Sequence, residues 1–127
     1  NDHSAAPTLN TLNLTEAEAH YVLERALANV EIMLQQKRVH GDLSAYNILY
    51  LEGKISLIDF PQAIDPGVNS NAYAIFRRDI TRLFEYFQAQ GIACNPQATA
   101  ERLWQKYGYP IKPIVDPRLL EPESIIE

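Results

Sequence analysis

Cys94 is the only cysteine in 127 residues, so no internal disulfide can form. That usage fits a reducing, cytoplasmic compartment. No apolar run approaches the about 20 residues of a membrane-spanning helix. The chain opens on Asn1-Asp2-His3-Ser4 and shows no apolar stretch of the signal-peptide kind. Basic charge is also short: 11 Lys and Arg stand against 16 Asp and Glu, for a net charge of −5. This balance argues against a general nucleic-acid surface, yet it leaves room for the one or two cations a nucleotide pocket needs. Neither an internal repeat nor a low-complexity segment occurs. What is present is a 46% hydrophobic chain of single-domain length, enough for one core.

Local spacing sets out the elements. Thr15-Glu16-Ala17-Glu18 is a capping box, so a helix starts near Thr15. Leu23, Ala26, Leu27, Val30, Met33 and Leu34 recur at helical spacing as its buried stripe, to about Gln36 or Lys37. Glu16, Glu18 and Glu24 form its solvated face, and Lys37 and Arg38 suit its negative end. Two short apolar runs, Ile48–Leu51 and Lys54–Ile58, flank Glu52-Gly53, a two-residue hairpin turn with glycine where φ is positive. Pairing residue 51 with 54 sets 47 opposite 58 and 46 opposite 59, so Asn47 and Asp59 share the hairpin's open end.

Pro61, Pro66 and Gly67 then mark an irregular connection. A second helix over about 71–90 buries Phe76, Ile80, Leu83, Phe84 and Phe87 and stops at Gly91. A third begins with Asn95 as cap and Pro96 in its first turn, carries Trp104 into the core, and ends before Gly108. Residues 1–14 read as a flexible lead-in. Residues 109–127, with Pro110, Pro113, Pro117 and Pro122, read as an extended tail.

The chemistry lies in Val39-His40-Gly41-Asp42-Leu43-Ser44-Ala45-Tyr46-Asn47 and, twelve residues after Asn47, in Asp59 of Leu57-Ile58-Asp59-Phe60. An acid, an amide five residues on and a second acid across a hairpin suit a magnesium-nucleotide phosphotransferase. Phosphoryl transfer asks a protein for positioning and for cancellation of charge. In this reading Asp42 orients the attacking hydroxyl and takes its proton late. Asn47, through its side-chain oxygen, and Asp59 hold Mg²⁺ against the phosphates of ATP. Ser44 either bonds the loop or touches the ligand, His40 braces the loop, and Tyr46 packs. Asp79 reads as a buried structural acid; Arg77 and Arg78 are either solvated or in contact with phosphate.

The pattern H-x-D-x-x-x-x-N, hairpin, aspartate resembles the catalytic and metal-binding loops of protein-kinase-like enzymes. The run HGDLSAYNIL, the segment IDFPQAI (Ile58–Ile64) with Pro61 where kinases usually have glycine, and FRRDI (Phe76–Ile80) narrow the resemblance to the RIO family of atypical protein kinases. It covers about residues 15–90. It implies a catalytic role for Asp42, metal ligation by Asn47 and Asp59, a phosphoryl-accepting role for Asp59, a phosphate or metal-shell contact for Ser44, and a hydrogen bond from the catalytic loop to Asp79. Only 20 residues separate Asp59 from Asp79, which excludes a long activation segment, again similar to RIO kinases.

The departure from the family pattern is large. No glycine-rich strand-turn-strand and no lysine strand with a partner glutamate helix are found in the chain. The expected fold is therefore mainly α, α+β in detail: a protein-kinase-like C-terminal lobe over residues 15–108, with a small β-hairpin carrying the catalytic and metal-binding loops. The expected activity is ATP- and Mg²⁺-dependent transfer to a protein or self substrate, weak or absent in this lobe alone. Two other readings stand beside it. One is a small-molecule phosphotransferase of the aminoglycoside or choline kinase type. The other is a non-catalytic lobe that pairs with a missing N-terminal lobe, or with itself, through apolar surface exposed near the hairpin.

Overall fold

A computed structural model describes residues 7–51, 53–58, 64–68 and 71–109. These residues are mainly helical, with one two-stranded antiparallel sheet. Helix α1 spans Glu16–Gln35, strands β1 and β2 span Ile48–Leu51 and Lys54–Leu57, and helices α2 and α3 span Ala72–Ala89 and Pro96–Lys106.

Helix ends follow the local chemistry of the sequence. Thr15 accepts from the Glu18 N–H while Glu18 accepts from the Thr15 N–H, so both halves of the capping box form. Asn95 caps α3 by accepting from the Ala98 N–H. Gly91 and Gly108, at φ 93° and 77°, end α2 and α3 in the left-handed conformation, and the residue after each bonds back across six residues, Ile92 to Phe87 and Tyr109 to Trp104. Helix α1 ends with the same bonding, Arg38 to Met33, but there the left-handed residue is Lys37 at φ 62°.

The core lies between α1, α2 and α3 and under the hairpin. All five expected α2 residues, Phe76, Ile80, Leu83, Phe84 and Phe87, are buried. Trp104 of α3 sits 5.1 Å from the Phe76 ring and 5.4 Å from Tyr73, closing the α2–α3 interface with aromatic edges and faces. On α1 the buried line runs Ala19, Val22, Ala26, Val30, Leu34. Leu23 and Leu27 are only half-buried against it, so the expected stripe is rotated toward the small residues. The sheet register is as counted: Leu51 faces Lys54, Ile48 faces Leu57, and the Ile58 N–H continues the ladder to the Asn47 carbonyl. Gly53 takes φ 82° in the turn; Glu52 lies outside the described residues.

The expected flexible lead-in differs from what is found at residues 7–14. The Tyr50 N–H donates to the Pro7 carbonyl, Thr8 bridges Leu49, and Leu9–Thr11 form a short 3-10 turn. Leu9 has 0% exposure. Tyr86 of α2 and Gln90, the residue that caps it, then hold the Leu12 carbonyl and the Leu14 N–H. A polar composition concealed three apolar contacts, Leu9 buried and Leu12 and Leu14 packed partly against the core, and a set of backbone bonds that only the folded sheet edge and α2 can offer. Residues 1–6 and 110–127 lie outside the described residues. Tyr109, at the start of the expected tail, stacks 5.3 Å from Trp104 and donates to the Leu34 carbonyl. Leu9→Ala is predicted to lower stability by about 2–5 kcal/mol in urea denaturation; a loosely attached lead-in would show no change.

Candidate active site

The segment His40–Asn47 is built from α2 outward. Asp79, one turn into the apolar stripe of that helix, is 1% exposed and accepts the Gly41 N–H at 2.8 Å and the Leu43 N–H at 3.1 Å. Arg78 donates from Nη2 to the Gly41 carbonyl at 2.9 Å. Gly41 sits at φ 95°, where a side chain would strain the backbone. Those three bonds turn the chain so that Leu43 points into the core and Asp42 points out. The buried structural role expected of Asp79 is thus observed. Arg78, left open in the sequence, is committed to the loop; its Nε is buried with no partner among the described residues.

His40 ties the loop to the hairpin. The Asp42 N–H donates to its Nδ1 at 3.1 Å, so Nδ1 carries no proton and Nε2–H donates to the Ile58 carbonyl at 2.9 Å. This is the bracing role expected of it. Ile58 is held on both sides, since its N–H donates to the Asn47 carbonyl at 2.9 Å. A further clamp was not foreseen: Val39 and Ile64 exchange both backbone bonds, at 2.7 and 2.9 Å. The stretch 59–63, which contains Asp59, lies outside the described residues, but its flanking residues Ile58 and Ile64 are both bonded to the loop.

Asp42 and Asn47 come together. The Asn47 Nδ2 donates to the Asp42 carbonyl, and Asn47 itself is buried. Its Oδ1 receives no donor among the described residues. Ser44 accepts the Tyr46 N–H at 3.2 Å and so caps the 3-10 turn Ala45–Asn47 that delivers Asn47. Tyr46 does not pack as expected; it is 69% exposed. The Asp42 side chain is 58% exposed and pairs at 3.3 Å with Nη1 of Arg82. The sequence reading passed over Arg82. Its signal was position: three residues after Asp79 on α2, it lies on the same helix face as the loop anchor. Among the described residues no three His, Cys, Asp or Glu side chains gather as a metal cluster. Nor is any helix of them long and apolar enough to cross a membrane.

Burial pushes the Asp79 carboxyl up from 3.8 to about 6, against the pull of the Gly41 and Leu43 N–H groups and the Arg78 charge. Burial likewise raises the Cys94 thiol, away from the reactive thiolate.

Comparison with known proteins adds an independent finding. The sequence profile of the RIO domain matches residues 1–100. A serine/threonine-protein kinase RIO1 of Chaetomium thermophilum is 36% identical over 91 residues, covering 71% of this chain and 17% of that protein. The RIO-type serine/threonine-protein kinase Rio1 of Thermoplasma acidophilum is 30% identical over 101 residues, covering 80% of this chain and 51% of its own length. The human serine/threonine-protein kinase RIO1 is 29% identical over 93 residues, covering 72% of this chain and 16% of that protein. The chain therefore spans between about a sixth and about half of the length of these relatives. It belongs to the RIO family, whose named relatives here are serine/threonine-protein kinases.

A raised carboxyl binds its proton in the folded state where the unfolded chain has lost it. The stability that depends on Asp79 is therefore full below about pH 4 and falls as pH rises through about 6. The drop is on the order of 3 kcal/mol. Asp79→Asn is predicted to flatten this part of a urea-midpoint profile and to lower stability throughout by about 1–3 kcal/mol, because its amide turns a donor toward two N–H groups. An unchanged slope between pH 4 and 6 would contradict it.

Proposed function

We propose that this chain is the C-terminal, catalytic-loop lobe of a RIO-type serine/threonine kinase, transferring a phosphoryl group from ATP with Mg²⁺. The single observation that carries the reading is the arrangement around Asn47. Its amide nitrogen is engaged by the Asp42 carbonyl, which leaves Oδ1 as a hard oxygen without a donor among the described residues. Such an oxygen suits Mg²⁺. Asp59 is proposed as the second ligand. Ile58, one residue before it, is bonded to both Asn47 and His40, which supports delivery of Asp59 to the same place. When bound, the cation would neutralise charge on the phosphates.

Asp42 is the proposed catalytic base. Its carboxylate is turned to solvent while its backbone is fixed at both ends, by Asp79 through Gly41 and Leu43 and by Asn47 through the Asp42 carbonyl. A hydroxyl presented there is oriented by the carboxylate and gives up its proton to it. Ser44 keeps its hydroxyl proton available after accepting from Tyr46, which supports a contact to phosphate. Asp59 as a phosphoryl acceptor is a further part of the proposal that rests on family resemblance alone. The family match favours a protein substrate over the aminoglycoside or choline type. The exposure of Tyr21 and Leu51, at the start of α1 and the end of β1, supports a contact surface for another lobe or a second copy.

In the intact protein, Asp42→Ala is predicted to reduce transfer from ATP by about 10² to 10⁴-fold. It should leave the fold in place, since the exposed pair with Arg82 contributes less than about 1 kcal/mol. The check is a phosphorylation assay alongside circular dichroism. Retained transfer in a folded variant would remove Asp42 from the role.

A further inference from the structure

A cleft of about 580 Å³ opens beside the catalytic loop, walled by Ser44 and Tyr46 of the loop, Arg82, Glu85 and Tyr86 of α2, and Asn10. It starts at the reaction centre, because Arg82 on its wall pairs with Asp42. The charges on its walls are unequal in their commitments. Arg82, the one cation among the described lining residues, is met by the Asp42 carboxylate. Glu85, three residues further along α2, is exposed and has no hydrogen bond or ion pair among the described residues. Tyr46 presents a ring that is 69% exposed, in no ring or hydrogen-bond contact through its side chain among the described residues. Among the described residues, Asp42, Arg82 and Glu85 together leave one negative charge uncompensated in a cleft that also holds the unstacked Tyr46 ring.

A carboxylate and an aromatic face lining one cleft can together recognise a cationic side chain: the first by charge-assisted hydrogen bonds, the second by its ring quadrupole. We propose that this cleft is a substrate subsite for a basic residue, an arginine or lysine close in sequence to the serine or threonine hydroxyl offered to Asp42. The inference rests on the phosphoryl-transfer reading above and names the protein segment that reading takes as substrate. Arginine suits the cleft better than lysine, since a flat guanidinium can lie on the Tyr46 ring while its N–H fork meets the Glu85 carboxylate. Acidic segments are disfavoured because the only cation among the described lining residues is already paired.

The test is binding rather than turnover, so it does not depend on catalysis. A labelled, capped heptapeptide with one serine and two preceding arginines among alanines is titrated with the intact protein, without ATP or Mg²⁺, and followed by fluorescence anisotropy. Replacing both arginines by citrulline, which keeps the shape and removes the charge, is expected to weaken binding at least about five-fold. Glu85→Gln, an exposed change that the fold tolerates, is expected to weaken it about three- to five-fold. Tyr46→Ala should weaken it about three-fold, and Tyr46→Phe should leave it unchanged, because the ring rather than the hydroxyl makes the contact. Equal affinity for the arginine and citrulline peptides, or for the wild type and both the Glu85→Gln and Tyr46→Ala variants, or tighter binding of an acidic peptide, would overturn the subsite. Arginine selectivity in a protein that fails to transfer phosphate would support the subsite and count against the phosphoryl reading alone.

Discussion

The loop depends on one buried carboxylate. Asp79 takes both free backbone donors of Gly41 and Leu43, on either side of Asp42, and Arg78 takes the Gly41 carbonyl. Without those acceptors two N–H groups would be buried unpaired, at a penalty of about 1–3 kcal/mol each. Helix α2 is rigid because its apolar face is locked by Phe76, Ile80, Leu83, Phe84 and Phe87. The loop inherits that rigidity through three hydrogen bonds. A solvent-facing acid can then be held in a fixed direction although its own side chain has few contacts.

The remaining bonds extend the same frame to the hairpin. His40 and Asn47 reach Ile58 from two sides, and Val39 pairs with Ile64. The loop, the strand end at Ile58 and Ile64 are therefore tied together by hydrogen bonds. A site for a divalent cation needs oxygen ligands from separate segments at fixed separation. Backbone bonds give such fixity more cheaply in sequence than side-chain packing does. The same helix contributes Arg82 and Glu85 to the neighbouring cleft, so one element both orients the His40–Asn47 loop and shapes the surface beside it.

Features set by neighbours in sequence were legible from the sequence. The capping box at Thr15 and Glu18, the Asn95-Pro96 start, the Gly91 and Gly108 stops and the Gly53 turn all depend on residues within a helical turn or a hairpin. The α2 stripe was legible because its large apolar residues stand out at a period of 3.6. On α1 the buried line includes Ala19 and Ala26, which weigh little in a hydropathy count, while Leu23 and Leu27 drew the stripe to one side. Contacts between distant segments were mostly hidden. Leu9, Leu12 and Leu14 alternate with Asn and Thr and match no regular period, and the Val39–Ile64 clamp is made of backbone alone. Arg82 and the exposed Tyr46 became visible only once α2 and the loop were set against each other. The exception is Asp79, whose role was legible through family resemblance and its place at the head of an apolar stripe.

The most direct measurement is paramagnetic broadening of backbone amide signals when Mn²⁺, a stand-in for Mg²⁺ at oxygen sites, is added with ATP. The account predicts selective broadening around Asp42, Asn47 and Ile58, with α1 and α3 little affected. Broadening confined to surface acids such as Glu16, Glu18 and Glu24, with the loop signals sharp, would contradict it.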